Sequence, residues 1–181
     1  MKIRRSTEPD RIAIHGIHTS AFGQKQGQEI VGLVNDLLDD ESAKPLLSLV
    51  AEADGKLVGH ILFTAARLQP EDQEVSVRIL APLAVSGDFQ GEGLGGMLIT
   101  EGLRQLTESG AGLVFVLGHP NYYPKFGFQT AGVLGFEAPY PIPPEHADAW
   151  MVQELRAGVI GSIGGRVQCS EVLNQPQHWR E

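Results

Sequence analysis

Four of the six positions from Gly91 to Gly96 are glycine: 91, 93, 95 and 96. They separate the strand-like Leu83-Ala84-Val85 from a run in which Leu94, Leu98, Gly102 and Leu106 fall on one helical stripe, flanked by Ile99 and Leu103. Glycine costs a helix interior about 1 kcal/mol relative to alanine, so four of them at a helix start need a reason. At a helix N-terminus the first backbone N–H groups have no partners and the helix dipole is positive, so an anion can settle there if no side chain blocks it. The order strand, bare turn, helix is therefore read as an anion cradle at the glycines 91, 93, 95 and 96, at the start of a helix over Gly91 to Ser109 with Gly110 as the stop.

The rest of the chain constrains what surrounds that turn. Lys2 to Arg5 reads as a strand, and Thr7-Glu8-Pro9-Asp10 as a helix start with Thr7 at the N-cap. Ile12, Ile14, Ile17 and His18 follow at roughly helical spacing, and a second helix spans Glu29 to Leu38 after a connection at Gly23 to Gly27 that could lie beside a substrate. Asp54-Gly55 joins the strands Leu47 to Ala53 and Leu57 to Thr64 as a hairpin. A turn is expected at Gln69-Pro70-Glu71-Asp72. Val75 to Val85 reads as a strand with irregular pairing near Pro82, since proline cannot donate to a ladder. Gly112 to Gly118 is an unbroken apolar run of strand length, expected to be central and buried on both faces. Beyond Phe128 lie a proline-rich loop (Pro139, Pro141, Pro143, Pro144), strand-like pieces at Ala149 to Leu155 and Arg166 to Leu173, and a last segment, Gln175 to Glu181, that reads as a solvated tail.

Gly91-x-Gly93-x-x-Gly96 also fits a dinucleotide-binding turn. That reading needs an acidic residue about 20 positions onward to hold the ribose hydroxyls. No Asp or Glu occurs between Glu108 and Glu137, and an antiparallel hairpin precedes the turn, so a nucleotide-dependent oxidoreductase is disfavoured. No Gly-Lys-Ser/Thr follows the glycines, so a phosphate loop of the NTPase type is excluded.

Gln90-Gly91-Glu92-Gly93-Leu94-Gly95 resembles the cofactor loop of the GNAT superfamily of acetyl-CoA-dependent N-acetyltransferases, Gln/Arg-x-x-Gly-x-Gly/Ala at the end of a strand. A second element agrees. Tyr123-Pro124-Lys125-Phe126-Gly127-Phe128 carries the tyrosine that the superfamily often places four residues before a Gly-Phe pair. The element order resembles the family over about residues 2–128. Leu80 to Val85 together with Gly118 to Pro124 is similar to a bacterial branch of predicted acetyltransferases.

The resemblance implies an α/β (α+β) fold: a central mixed, mostly antiparallel sheet with helices on both faces, splayed between neighbouring strands at about 80–86 and 112–118. It implies one N-acetyltransferase domain over 1–181, with a core at about 2–128, a looser part at 129–173 and a tail at 174–181. Main-chain groups of Leu83, Ala84 and Val85 would pair with the pantetheine arm of acetyl-CoA. Amides of Gly91, Gly93, Leu94, Gly95 and Gly96 would hold the pyrophosphate, with a further contact from Gln90. Asn121 would lie near the cofactor arm. Acetyl transfer to an amine by direct attack needs a neutral nucleophile and a proton for the departing thiolate. Tyr123 is the implied acid. His119, at the carboxyl end of the apolar strand, is the candidate base, imidazole being the side chain that exchanges protons most readily near neutrality. Glu29 and Glu74 are the carboxylate alternatives. The Pro139–Pro144 loop and Trp150 could wall the acceptor. A non-catalytic acyl-CoA-binding or regulatory module is the rival reading, since it would keep the glycine loop without turnover.

Charge and composition narrow the partners. Fourteen Lys and Arg against 22 Asp and Glu give a net charge of −8, and the basic residues are scattered, so a nucleic-acid surface is not expected. The acceptor would be a small-molecule or peptide amine, and the family admits a homodimer. No apolar run approaches the roughly 20 residues of a membrane span, and the expected compartment is the cytoplasm. The single cysteine, Cys169, allows no internal disulfide and is expected to be inert; no His or carboxylate pair has convincing metal spacing, so no metal is expected.

Overall fold

The computed structural model describes residues 1–70 and 74–180. Among these residues nine strands form a mixed sheet: β1 (Lys2–Arg5), β2 (Leu47–Ala53), β3 (Lys56–Gln69), β4 (Val77–Val85), β5 (Leu113–Leu117), β6 (Gln129–Thr130), β7 (Phe136–Glu137), β8 (Trp150–Glu154) and β9 (Gly165–Gln168). The main order is β1-β2-β3-β4-β5-β8-β6, antiparallel throughout except for the parallel pair β4/β5. The far end of β3 pairs with β9, which pairs with β7.

Helices cover both faces, as expected. On one face α3 (Leu94–Glu108) buries Leu94, Leu98, Ile99, Leu103 and Leu106 against Leu49, Ile61, Phe63, Val114 and Val116. On the other lie α1 (Arg11–Phe22) and α2 (Gln24–Leu38), with Leu37 packed in a cluster that contains Leu62, Ile79, Phe115 and Trp150. Alternation explains β5: Val114 and Val116 point to the α3 face while Leu113 and Phe115 point to the other, and all four are buried. An unbroken apolar run is the outcome of covering a strand twice.

Local departures from the sequence reading have physical causes. Gly23 to Gly27 is not an open connection. Gly23 alone makes the break, at φ +84°, and α2 starts at once because Gly27 lets it approach α1 closely: a Cβ there would stand 2.8 Å from the Thr19 Cα. Opposite Pro82 the ladder slips as expected. Ile61 faces Leu83 but Phe63 faces Leu80, so Ala81 and Pro82 share one opposing residue. The turn expected at Gln69 to Asp72 has Glu71 and Asp72 outside the described residues.

The chain's last segment is a correction. The strand ends at Gln168, and three residues on the backbone is tied to the segment that follows α2: Glu171 N–H reaches the Ser42 hydroxyl at 2.9 Å and Val172 N–H reaches Asp40 at 3.1 Å. Residues 175–180 are not a solvated tail. Pro176–Trp179 forms a 3-10 turn, and Trp179 is 3% exposed, edge-on to Trp150 and donating its indole N–H to the Leu173 carbonyl at 2.9 Å.

A polar string crosses the α1/sheet interface. The Ser6 and Ser48 hydroxyls are 2.6 Å apart, Ser48 Oγ is 2.8 Å from His60 Nε2, and His60 Nδ1 is 2.8 Å from His18 Nε2. Both imidazoles are fully buried, and the His18 Nδ1 has no partner among the described residues. Burial lowers both pKa values, to about 4 for His18, with a smaller push from His15, and to about 3 for His60. The rings are neutral in the folded chain near neutral pH.

Candidate active site

The parallel pair β4/β5 is joined only from Val77 to Ile79 against Leu113 to Phe115. Past that point the strands separate, and Leu80 to Leu83 and Val116 to His119 line a cavity of about 1220 Å³ together with Tyr123, α2 and the C-terminal segment. The splay expected near 80–86 and 112–118 is this opening.

Register decides which main-chain groups face it. Ser86 N–H donates to the Val58 carbonyl at 2.8 Å, and Ala84 stands opposite His60. Hydrogen-bonded and non-hydrogen-bonded pairs alternate along an antiparallel ladder, so Ala84 turns its N–H and C=O toward β3, whereas Leu83 and Val85 turn theirs toward the gap. The expectation for Ala84 is corrected by that alternation. The Val85 carbonyl already accepts the Gln90 side-chain amide at 2.9 Å, so Gln90 braces the turn from within.

The four glycines serve two purposes. Gly91 and Gly93 adopt φ +82° and +81°, with open space where a Cβ would stand. Gly93 is the left-handed N-cap of α3, and the first helical bond runs from Met97 N–H to its carbonyl at 3.1 Å, leaving the N–H groups of Leu94, Gly95 and Gly96 without helical acceptors. Gly95 and Gly96 instead admit aromatic rings. A Cβ on Gly95 would lie 2.5 Å from the Tyr122 hydroxyl, and one on Gly96 would lie 2.8 Å from the Phe126 ring. The glycine turn and the aromatic segment from Tyr122 to Phe126 are thereby keyed together, a packing role that the sequence does not announce.

Tyr123 is 8% exposed, lines the cavity, and its hydroxyl has no hydrogen-bond partner among the described residues. Burial, with Tyr122 beside it, raises its pKa well above the usual phenol value, so it stays protonated. Tyr122 is raised for the same reason, burial. The Tyr123 ring fits because residue 118 is glycine: a Cβ there would lie 2.5 Å from Tyr123 Cε2. His119 is exposed on the cavity rim, and its carbonyl accepts the N–H groups of Tyr122 and Tyr123 at 3.1 and 3.4 Å. Asn121 is exposed in the same loop. Of the carboxylate alternatives, Glu29 lines the cavity and Glu74 does not.

The Pro139–Pro144 loop does not wall this cavity. It lines a separate apolar hollow of about 430 Å³ with Phe136 and Trp150. The far wall is built instead by α2 and by residues 171–180, including Asp36, Glu171 and His178. Sequence reasoning missed these; the one available signal was the seven-residue spacing of Glu29 and Asp36, which sets both on one side of a helix. Cys169 is half-buried outside the cavity, and burial raises its thiol to about 11, which keeps it protonated. Among the described residues no three His, Cys, Asp or Glu converge as metal ligands, and no helix is long and apolar enough to cross a membrane.

Comparison with known proteins agrees with this arrangement. The family model described as "Acetyltransferase (GNAT) domain" matches residues 2–131. The chain is 46% identical over 163 residues to the "uncharacterized N-acetyltransferase YjhQ" of Escherichia coli K12, covering 90% of this chain and 88% of that one. A crystal structure of E. coli YhbS in complex with CoA superposes with a TM-score of 0.84 at 30% identity, over 96% of this chain and 92% of the other. A Brucella melitensis GNAT acetyltransferase in complex with acetyl-CoA gives 0.74 at 28%, over 95% and 97%.

Proposed function

The chain belongs to the GNAT family of acetyltransferases, and from that premise we propose that it transfers the acetyl group of acetyl-CoA to a primary amine by direct attack inside the opening between β4 and β5. The observation that carries the reading is the opening itself, which has unpaired strand edge on one side, bare helix amides nearby and a protonated phenol in its wall. Residues 1–181 are taken as one acetyltransferase domain.

The pantetheine arm would add to the free edge of β4 through the main chain of Leu83 and the N–H of Val85, as an extra strand does. Its pyrophosphate would meet the N–H groups of Leu94, Gly95 and Gly96, beside the open turn at Gly91 and Gly93. Asn121 would border the arm. In the reaction His119 takes a proton from the acceptor ammonium. The freed amine nitrogen attacks the thioester carbonyl, the C–N bond forms and the C–S bond breaks, Tyr123 gives its proton to the departing thiolate, and the acylated nitrogen releases its second proton to solvent. The products are the N-acetylated amine and CoA thiol; solvent exchange restores both side chains.

Calorimetric titration with acetyl-CoA, with NADH in parallel, tests the premise of a CoA site. Micromolar acetyl-CoA binding without NADH binding is expected, and no acetyl-CoA binding overturns the reading. Tyr123→Phe is expected to lower kcat by about 10²- to 10⁴-fold with acetyl-CoA affinity retained. A full-rate variant removes Tyr123 as the acid, and binding without turnover on any amine favours the non-catalytic module.

A further inference from the structure

We infer that the acceptor is an aliphatic di- or polyamine, which keeps one ammonium while another is acetylated; the inference rests on the acetyltransferase reading above. The cavity is larger than the roughly 300–1,000 Å³ of an ordinary small-molecule site, which leaves room for an acceptor beside the cofactor arm. Three carboxylates line it, Glu29 and Asp36 from α2 and Glu171 from the C-terminal segment, and none forms an ion pair with a described residue. Against them stands one guanidinium, Arg180, while burial lowers the pKa of His178. Glu29 and Asp36 are separated by two helical turns, about 10 Å along the axis, so the negative wall is long rather than a point.

Two further features show what such a wall is for. Tyr123, more than nine-tenths buried, lines the same space with no hydrogen bond from its hydroxyl to a described residue, so the thioester it would protonate, and the amine that attacks that thioester, share the cavity with the carboxylates. The lining that holds the acid groups also includes the aliphatic side chains of Ile30, Leu33, Leu80 and Val172, suited to a methylene chain. A monoamine must shed its charge before it attacks, so attraction to the carboxylates would hold its unreactive form. A second ammonium keeps that attraction through the transition state, where it raises kcat/KM. The wall exists as a wall because Trp179 pins residues 171–180 to the sheet.

The test compares acceptors that differ at one end only, by acetyl-CoA-dependent thiol release at fixed pH and salt. The panel is α,ω-diamines of three to six carbons and spermidine, each set against its amino-alcohol, and 4-aminobutanoate. The favoured diamine is expected to exceed its amino-alcohol at least tenfold in kcat/KM. The double variant Asp36→Asn/Glu171→Gln is expected to remove that preference by raising the diamine KM, with kcat and the KM for acetyl-CoA little changed. Amino-alcohols as good as diamines, or preference for 4-aminobutanoate through Arg180, overturn the inference. So does the absence of calorimetric binding of every diamine to the CoA-loaded protein, whereas failure of acetyl-CoA itself to bind overturns the underlying acetyltransferase reading instead.

Discussion

Lowering the pH from 7.5 to 5 sets the unfolded chain's demand for protons against the buried pair His18–His60. Both rings titrate lower in the folded chain, at about 4 and about 3, than the 6.5 of an exposed histidine, and burial is the main cause for each. A group whose folded pKa is depressed contributes its full stability above the unfolded pKa and loses it as the pH falls toward the folded value. At pH 5 unfolded histidines are almost fully protonated while both folded rings are still largely neutral. The 1.5 pH units between 6.5 and 5, at about 1.4 kcal/mol per unit, remove about 2 kcal/mol for each ring and about 4 kcal/mol for the pair. Against a total stability of about 5–15 kcal/mol that is a large share. Urea unfolding followed by far-UV circular dichroism at pH 7.5, 6 and 5 measures it. The control is His18→Leu/His60→Leu, which replaces the touching pair by apolar groups of similar size and leaves Ser48 its contact with Ser6. The difference between the two proteins' losses should approach 4 kcal/mol. Equal losses in both would refute the assignment of acid sensitivity to this pair.

Gly118→Ala places a Cβ against the buried Tyr123 ring, and a displaced phenol should cost about 10- to 100-fold in kcat with acetyl-CoA affinity kept, read by thiol release. Gly102→Ala drives a Cβ into Phe63, which is buried; thermal unfolding should show a loss of about 1–3 kcal/mol even though alanine is the better helix former, and a gain would mean that the ring gives way freely. Trp179→Ala should cost about 3–5 kcal/mol and, by loosening the wall that carries Glu171, raise the KM of a diamine acceptor more than that of acetyl-CoA. Because burial raises the Tyr123 pKa above its ordinary value near 10, the alkaline fall in kcat/KM should not come from this residue below pH 10; a limb below pH 10 that vanishes in Tyr123→Phe would contradict that.

The local elements were legible because each is dictated by neighbours in the chain. Asp54-Gly55 makes a hairpin through backbone freedom, with both residues at positive φ. Gly110 ends α3 at φ +92°, and the apolar run around Leu113–Leu117 has to be a strand covered twice. The glycine turn was legible for the same reason, since bare amides at a helix start need only the turn and the helix. Other features depended on contacts between residues far apart in sequence. Sequence spacing does not show that Ala84 turns its main chain away from the gap, because strand register with β3 decides it. Nor does it show that His18 meets His60 across 42 positions, or that Gly95 and Gly96 receive Tyr122 and Phe126. The acid wall is the clearest case: Glu29 and Asp36 look like a solvated helix face until the C-terminal segment, held by one buried tryptophan, folds back to stand opposite them. Turn chemistry and periodicity act over a few residues and determined the elements. The site's depth, charge and far wall come from packing those elements together, and only the tertiary structure decided them.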